Sequence, residues 1–466
     1  MSPGGARRGW GLARRLVLVR EISACGYPAP GARPRGLLAG TGARRLRWAG
    51  ARAGRGSTVN YAAVLVFAAT YVLVATRRLA WLPIGRTAGA LLGAAAMVAI
   101  GALTPAQSFA AIDHDTILLL FAMMLLMAYL ERGGLFERVA LGALLLARTP
   151  AQLLVLVAVL AAGLSAFFVN DAVCLLLTPV VVGVGVRAGL PLAPYLLAIC
   201  TSSNLGSAAT LVGNPQNMII GSMGGLGFTE FMGLAGPPAL VGVAVNTLLL
   251  WLWYRRDLPP GPLAVRSSPA RPLDPLVVPV ALLVCAGFIA GLHLGYVALA
   301  GALVFVVRDR EPPEAALARV DWGLLVFFCG LFIVVHGLAA TGVVAWAWDR
   351  AAPAQLAAPA QLAAFSGLLA AGSNVVSNVP MVLLAGPQVA AYADPTLAWV
   401  ALGLATTVAG NLTLLGSVAN LIVAEQARRH HELGFLEYLR FGVVSTLVTL
   451  PIVMATLWLV RSLFGD

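Results

Sequence analysis

Four short runs of amide, hydroxyl and glycine residues interrupt an otherwise apolar sequence, and these are the places where the chain can do chemistry. The first is Phe167-Phe168-Val169-Asn170-Asp171. The second runs from Thr201 through Ser203, Asn204, Ser207, Thr210, Gly213 and Asn214 to Asn217. The third runs from Gly372 through Ser373, Ser377 and Asn378 to Pro380, and the fourth from Gly410 through Asn411, Thr413, Gly416 and Ser417 to Asn420. No HExxH or GxSxG motif and no pair of aspartates in apolar segments accompanies them, so the pattern does not point to an enzyme. What these residue types do well is bind. Where Gly, Pro or Asn breaks a helix inside a membrane, the positive N-terminus of a half-helix can face an anionic group. Freed carbonyls and Asn or Ser oxygens can hold a small cation. The bland use of the same residues is helix–helix hydrogen bonding. Their recurrence at matched places in two halves of the chain favours a binding site.

Asp171 is the only acid in the middle of a hydrophobic segment. A carboxylate at membrane depth costs several kcal/mol unless it is paired, protonated or bound to a cation. Its counterpart in the other half is Val379, so the fold does not demand an acid there. Asp171 therefore reads as a proton carrier or cation ligand, with a structural pairing inside its hairpin as the alternative. His114, His293 and His336 have no ligand-like company and read as interfacial or packing residues. Glu230 and Glu437 each sit at the start of an apolar run, where an acid favours the helix dipole. Cys25, Cys174, Cys200, Cys285 and Cys329 show no CxxC spacing, so neither a disulfide framework nor a zinc site is indicated.

The elements that must position these residues are membrane-spanning helices. Hydrophobic residues make up 60% of the 466 and charged residues only 11%, against about a quarter in soluble domains. Apolar runs long enough to cross a bilayer, about 17–25 residues, recur from Thr58 almost to the end. The net charge of +12 is no sign of a nucleic-acid partner. All 31 basic residues are arginines; twelve fall in residues 1–57 against the single acid Glu21, so that segment carries +11 and the rest +1. Residues 1–57, rich in Gly, Ala, Pro and Arg, are expected to be a disordered basic tail with no signal-peptide core.

The rest of the chain is duplicated. Residues 227–253 align without a gap to 434–460, pairing Gly227, Phe228, Glu230 and Trp251 with Gly434, Phe435, Glu437 and Trp458. Thr210 to Asn217 pairs with Thr413 to Asn420, Asn170 and Pro179 with Asn378 and Pro387, and Asp115 and Phe121 with Asp321 and Phe327. Repeat 1 occupies 58–254, a cytoplasmic linker 255–272, and repeat 2 residues 273–464.

In repeat 1, spans are expected near 58–76, 88–104 and 115–131, then a surface helix at 134–148. A re-entrant hairpin at 152–187, a broken span at 193–222 and a final span at 229–254 follow. Repeat 2 reads 273–294, 295–307 and 322–340, a surface helix at 342–351, a hairpin at 359–392, a broken span at 396–425 and a span at 435–460. Five crossings per repeat, one of them broken, is an odd number and inverts the second repeat. With Arg77, Arg78 and Arg86 inside, 17 of the 19 arginines after residue 57 fall inside and only Arg350 and Arg461 outside. The tail would then lie outside, where its charge is not expected. Residues 1–57 are accordingly read as a mispredicted upstream start, with the functional protein beginning near Val59, or as a dispensable tail.

At these motifs the chain resembles the ion-transporter superfamily, over about 59–464. Its divalent-anion/sodium symporters carry a Ser-Asn-Thr tip in each hairpin, followed by a broken helix with a Thr-Leu-(Val/Ile)-Gly-(Thr/Asn)-Pro-x-Asn stretch. Val169-Asn170-Asp171 and Ser377-Asn378-Val379 stand at the tips here, and Thr210 to Asn217 matches the broken stretch. Asn-Asp in place of Asn-Thr is more similar to the branch of arsenite pumps, sodium/proton antiporters and citrate-transporter-like anion permeases, the last being the nearest. The resemblance implies an all-α polytopic protein with a scaffold and an elevator-type transport domain, a homodimer in the lipid bilayer of the inner membrane. It implies a small anionic substrate, no cofactor beyond a coupling ion, H+ or Na+, and Na+ at Asn170, Asn378 and the adjacent broken-helix backbone. A Na+/H+ antiporter or an arsenite efflux permease is the alternative. A channel would need rings of charge or a continuous polar stripe, which the sequence lacks.

Overall fold

A computed structural model of the chain describes residues 60–75, 85–263, 272–309, 312, 314–353, 355–356 and 358–464. The expectations for residues 1–57, Arg77, Arg78 and residues 264–271 of the linker fall outside the described residues. Among the described residues there are twenty α-helices and no strand. The first ten are α1 Tyr61–Ala75, α2 Arg86–Ala99, α3 Pro105–Ala110, α4 His114–Arg132, α5 Leu135–Leu144, α6 Pro150–Phe167, α7 Asn170–Arg187, α8 Ala193–Ser207, α9 Pro215–Gly224 and α10 Phe228–Tyr254. The second ten are α11 Val277–Ile289, α12 Leu294–Asp309, α13 Glu314–Leu317, α14 Trp322–Ala339, α15 Val343–Ala351, α16 Pro359–Val376, α17 Asn378–Val389, α18 Pro395–Ala409, α19 Val418–Ala427 and α20 Phe435–Phe464.

Helix starts follow from local chemistry. Asp113, Thr149, Asn214, Asp321 and Asp394 each cap a helix by accepting from a backbone N–H three residues on, and Pro150, Pro215 and Pro395 stand just inside three of those caps. Six helices (α4, α6, α7, α10, α14 and α20) are long and apolar enough to cross a membrane, and four shorter ones are apolar as well. This is a multi-pass membrane protein. The short helices α3 and α13 were not legible in the sequence, because six and four residues are too few to set up a hydrophobic period. A capping box between Thr104 and Gln107 starts α3 instead.

Two helices form the centre. Every residue of α8 is buried, and α18 is buried from Leu397 to Ala409, which is how a helix behaves when protein surrounds it on all sides. The first arm of each hairpin lies along one of them, α6 on α8 and α16 on α18, while α10 and α20 pack on each other beside them. Close approach needs small residues: a Cβ at Gly206 of α8 would collide with the carbonyl of Ala162 in α6.

The packing also exchanges partners between the two halves. Helix α2 packs on α14, and α12 on α4; α7 packs on α19, and α17 on α9. Each pair is the other with the halves interchanged, and α10 on α20 is its own counterpart.

The helix interruptions fall where the polar runs do. Phe168 and Val169 separate α6 from α7, Ser377 separates α16 from α17, residues 208–214 separate α8 from α9, and residues 410–417 separate α18 from α19. In the first hairpin Asn170 is not in the turn but opens the second arm.

Candidate functional site

The two broken helices are stapled alike. Where a helix unwinds in a dry interior its carbonyls need new donors, and in both halves an asparagine side chain supplies them. The Asn217 Nδ2 donates to the carbonyls of Ser207 at 3.2 Å and Thr210 at 2.9 Å. The Asn420 Nδ2 donates to those of Gly410 at 2.8 Å and Thr413 at 3.2 Å. Ser207, Thr210 and Asn217 correspond one for one to Gly410, Thr413 and Asn420. In the first half Asn214 adds a second staple. It donates to the Ser207 hydroxyl at 3.0 Å and accepts from the Asn217 N–H at 2.9 Å.

Asn204 joins the halves. Its Oδ1 accepts from the Asn170 Nδ2 at 3.1 Å and from the Ser417 hydroxyl at 3.0 Å. Its Nδ2 donates to Asn411 Oδ1 at 2.9 Å and to Asn420 Oδ1 at 3.1 Å. Asn411 in turn donates to the Thr201 carbonyl at 3.1 Å. One amide thus ties the tip of the first hairpin to both broken helices, and all of these side chains are buried. Each group stranded by its loss would cost about 1–3 kcal/mol.

Oxygens remain to spare around the first tip. The Asn170 N–H donates to the Gly213 carbonyl at 2.9 Å, which docks the tip on the break. Thr210 donates its hydroxyl to the Ala166 carbonyl beside it. Yet Asn170 Oδ1, Asn217 Oδ1 and Ser165 Oγ are buried without a hydrogen-bond partner among the described residues. Gly213 has no side chain because none would fit: a Cβ there would lie 2.7 Å from the Ser165 carbonyl oxygen and closer still to that of Ser207. An oxygen-rich, uncharged cradle of this kind suits a hard cation. At the second tip Asn378 Oδ1 already accepts from Ser373; Asn374 donates to the Ala409 carbonyl at 3.1 Å, while its own Oδ1 is buried without a partner among the described residues. Four helices also begin here, at Asn170, Pro215, Asn378 and Val418. Each brings a partial positive charge to its N-terminus.

Not every residue singled out in the sequence joins this network. Ser203 turns to the first hairpin, its hydroxyl 3.1 Å from the Cys174 sulfur. Ser377 is exposed. Thr413 takes part through its carbonyl, while its side chain is half-buried. Asp171 lies in the first turn of α7, half-buried, with no hydrogen bond to the amide network among the described residues. The formal charges that act on it are Arg86 and Asp321, which face each other at 3.8 Å.

Other residues do more than their sequence context suggested. Asn246, fully buried in α10, donates to Thr201 at 2.8 Å and Ser202 at 3.2 Å and accepts from Ser445 of α20 at 2.7 Å. Thr407 accepts from Gln216 at 3.1 Å, bridging the broken helices again. A lone Asn in a 27-residue apolar helix was the available signal for Asn246; Ser165 and Thr407 gave none.

The chain matches the family model described as citrate transporter over residues 71–409. It is 34% identical to the silicon efflux transporter LSI3 of Oryza sativa subsp. japonica, across 83% of this chain and 95% of that one. It is 29% identical to the putative transporter arsB of Dictyostelium discoideum, across 80% and 87%. Among solved structures, the YdaH transporter of Alcanivorax borkumensis shares the fold with a TM-score of 0.50 at 16% identity, covering 87% of this chain and 97% of that one. A helical multi-pass chain with buried, polar helix breaks, matched over most of its length, is thereby a membrane transporter, and it belongs to the citrate transporter family.

Proposed function

We propose that this chain is a secondary active transporter that moves a small anion, a carboxylate or another anion, across the inner (plasma) membrane by coupling to Na+ or H+. The observation that carries the reading is the meeting of a hairpin tip and both broken helices on the one amide of Asn204. The N-termini of α7, α9, α17 and α19 favour negative charge without any arginine. The unpartnered oxygens of Asn170, Asn217 and Ser165 favour a cation next to it. A cation held there lowers the cost of bringing an anion to the same dry place, which is what coupling requires.

The exchanged packing partners support two inverted repeats, 58–254 and 273–464. In that arrangement the hairpins enter from opposite faces. The helices of the site move as an elevator-type transport domain against a scaffold, within a homodimer. Asp171, beside the first tip, is the proton carrier or an outer cation ligand.

A second reading is efflux of a small hydroxylated acid in its neutral form. Among the described residues, no arginine or histidine side chain bonds to the amide network, and the rice relative is named for silicon efflux. Proteoliposomes separate the two readings. Accumulation of radiolabelled citrate driven by an imposed Na+ or H+ gradient, with counterflow, supports the first. Gradient-driven movement of germanic acid without citrate uptake supports the second. Flux of either solute that ignores both gradients and shows no counterflow would defeat the transporter mechanism.

A further inference from the structure

Away from the amide network, a cleft of about 740 Å³ opens between the first arm of the first hairpin and α10. Its size falls in the range of about 300–1,000 Å³ typical of ligand clefts. The walls are hydrocarbon, from Leu146, Val155, Leu156, Leu248 and the Trp251 ring, and one charged residue, Arg148, stands among the lining residues. Arg255 extends the positive end of the cleft, its guanidinium carbon 5.9 Å from the centre of the Trp251 ring. Arg148, Arg255 and Arg256 are exposed and form no ion pair among the described residues, while Asp257 and Glu437 bring acids to this end of α10 beside Tyr254. The chain beyond α10 is fixed at the same spot, since the Leu263 N–H donates to the Arg148 carbonyl.

We infer that this cleft is a binding site for an anionic phospholipid, with an acyl chain against Leu156 and Leu248 and the phosphate between Arg148 and Arg255. The charge pattern selects the occupant. Hydrocarbon walls alone would take any lipid tail. Unpaired arginines at the rim, one resting on a tryptophan face, add a phosphate site at the depth where arginine and tryptophan meet headgroups. Because the cleft is walled by α6, the hairpin arm that ends at Phe167 just before the first tip, a lipid seated there braces that arm against α10.

The test uses the purified full-length protein in neutral detergent with added lipid. Phosphatidylglycerol should raise the unfolding midpoint by at least about 2–4 °C more than phosphatidylcholine. Native mass spectrometry should show phosphatidylglycerol retained in preference. The double variant Arg148→Gln with Arg255→Gln should lose both differences. Arg350→Gln is the control: Arg350 also lies over a tryptophan, Trp346 at 4.2 Å, but does not line this cleft. It should keep both. Equal stabilisation by the two lipids, or equal loss in Arg350→Gln, would overturn the site. Should the double variant not fold, the wild-type lipid preference and its loss in Arg148→Gln alone decide the matter.

Discussion

The two hairpin tips hold the same place in the order of helices and are built to different standards. The first turns through Phe168 and Val169, both at ordinary negative φ (−127° and −60°), and is bonded to the break through Asn170 and Thr210. The second turns through Ser377 at φ 67° and ψ 161°, the one non-glycine residue with positive φ among those described. That region is nearly reserved for glycine and stores about 1–3 kcal/mol. At the first tip buried oxygens of Asn170, Asn217 and Ser165 lack partners. At the second, Asn378 has found one in Ser373, within its own hairpin. Among the described residues the non-glycine strain lies at the second tip, and although Asn374 Oδ1 also lacks a partner there, the tip asparagine itself is unsatisfied only at the first. The first tip is a relaxed backbone around unsatisfied ligand atoms, suited to hold an ion. The second sets a satisfied tip asparagine, Asn378, on a strained backbone, suited to change shape.

The sharpest way to break this comparison is at its hub. Asn204→Leu strands Asn170 Nδ2, the Ser417 hydroxyl and two asparagine oxygens at once. At about 1–3 kcal/mol each, partly relieved by repacking, the loss should remove most folded protein. Size-exclusion profiles of the solubilised variant would show it, and a normal profile would mean that the network is not a unit.

A smaller effect is expected beside the first tip. Asp171→Asn is nearly isosteric and should leave the hairpin folded while abolishing gradient-driven accumulation. Val379→Asp, at the matched position of the second hairpin, should destabilise by several kcal/mol, because a carboxylate there has no partner provided for it. An unchanged pH and Na+ profile in Asp171→Asn would reduce that residue to a hairpin cap.

The smallest effects have opposite signs at the two turns. Ser377→Gly should raise the unfolding midpoint, since glycine adopts this backbone freely. Val169→Gly should lower it by the equivalent of about 0.5–1 kcal/mol of added chain entropy. Thermal melts giving both variants the same sign would erase the difference in strain.

Much of this was legible in the sequence for one physical reason: in an apolar chain every polar residue must be accounted for, so helix breaks announce themselves. The ends of α7, α8, α18 and α19, and the pairing of Asn217 with Asn420, could be read from the residues alone. The register at the tips could not. Ser377 looked like a ligand because it precedes Asn378, but the turn falls on Ser377 and exposes it, and Ser373, one helical turn back, takes the bond. Isolated polar residues in long apolar helices were equally opaque. Asn246 and Ser165 look like packing residues until the helices are brought together, and only then does Asn246 face Thr201 and Ser445. The sequence also gave the two tips one common role, because it carries no record of backbone strain or of which oxygens find partners.

The claim that the first tip, rather than the second, holds the coupling ion is tested most directly by citrate accumulation in proteoliposomes. Na+ and H+ gradients are imposed in turn on the wild type, Asn170→Ala and Asn378→Ala. The account predicts that Asn170→Ala loses the gradient-driven component entirely while keeping counterflow, and that Asn378→Ala accumulates more slowly with the same ion dependence. Loss of ion dependence in Asn378→Ala with its retention in Asn170→Ala would contradict it.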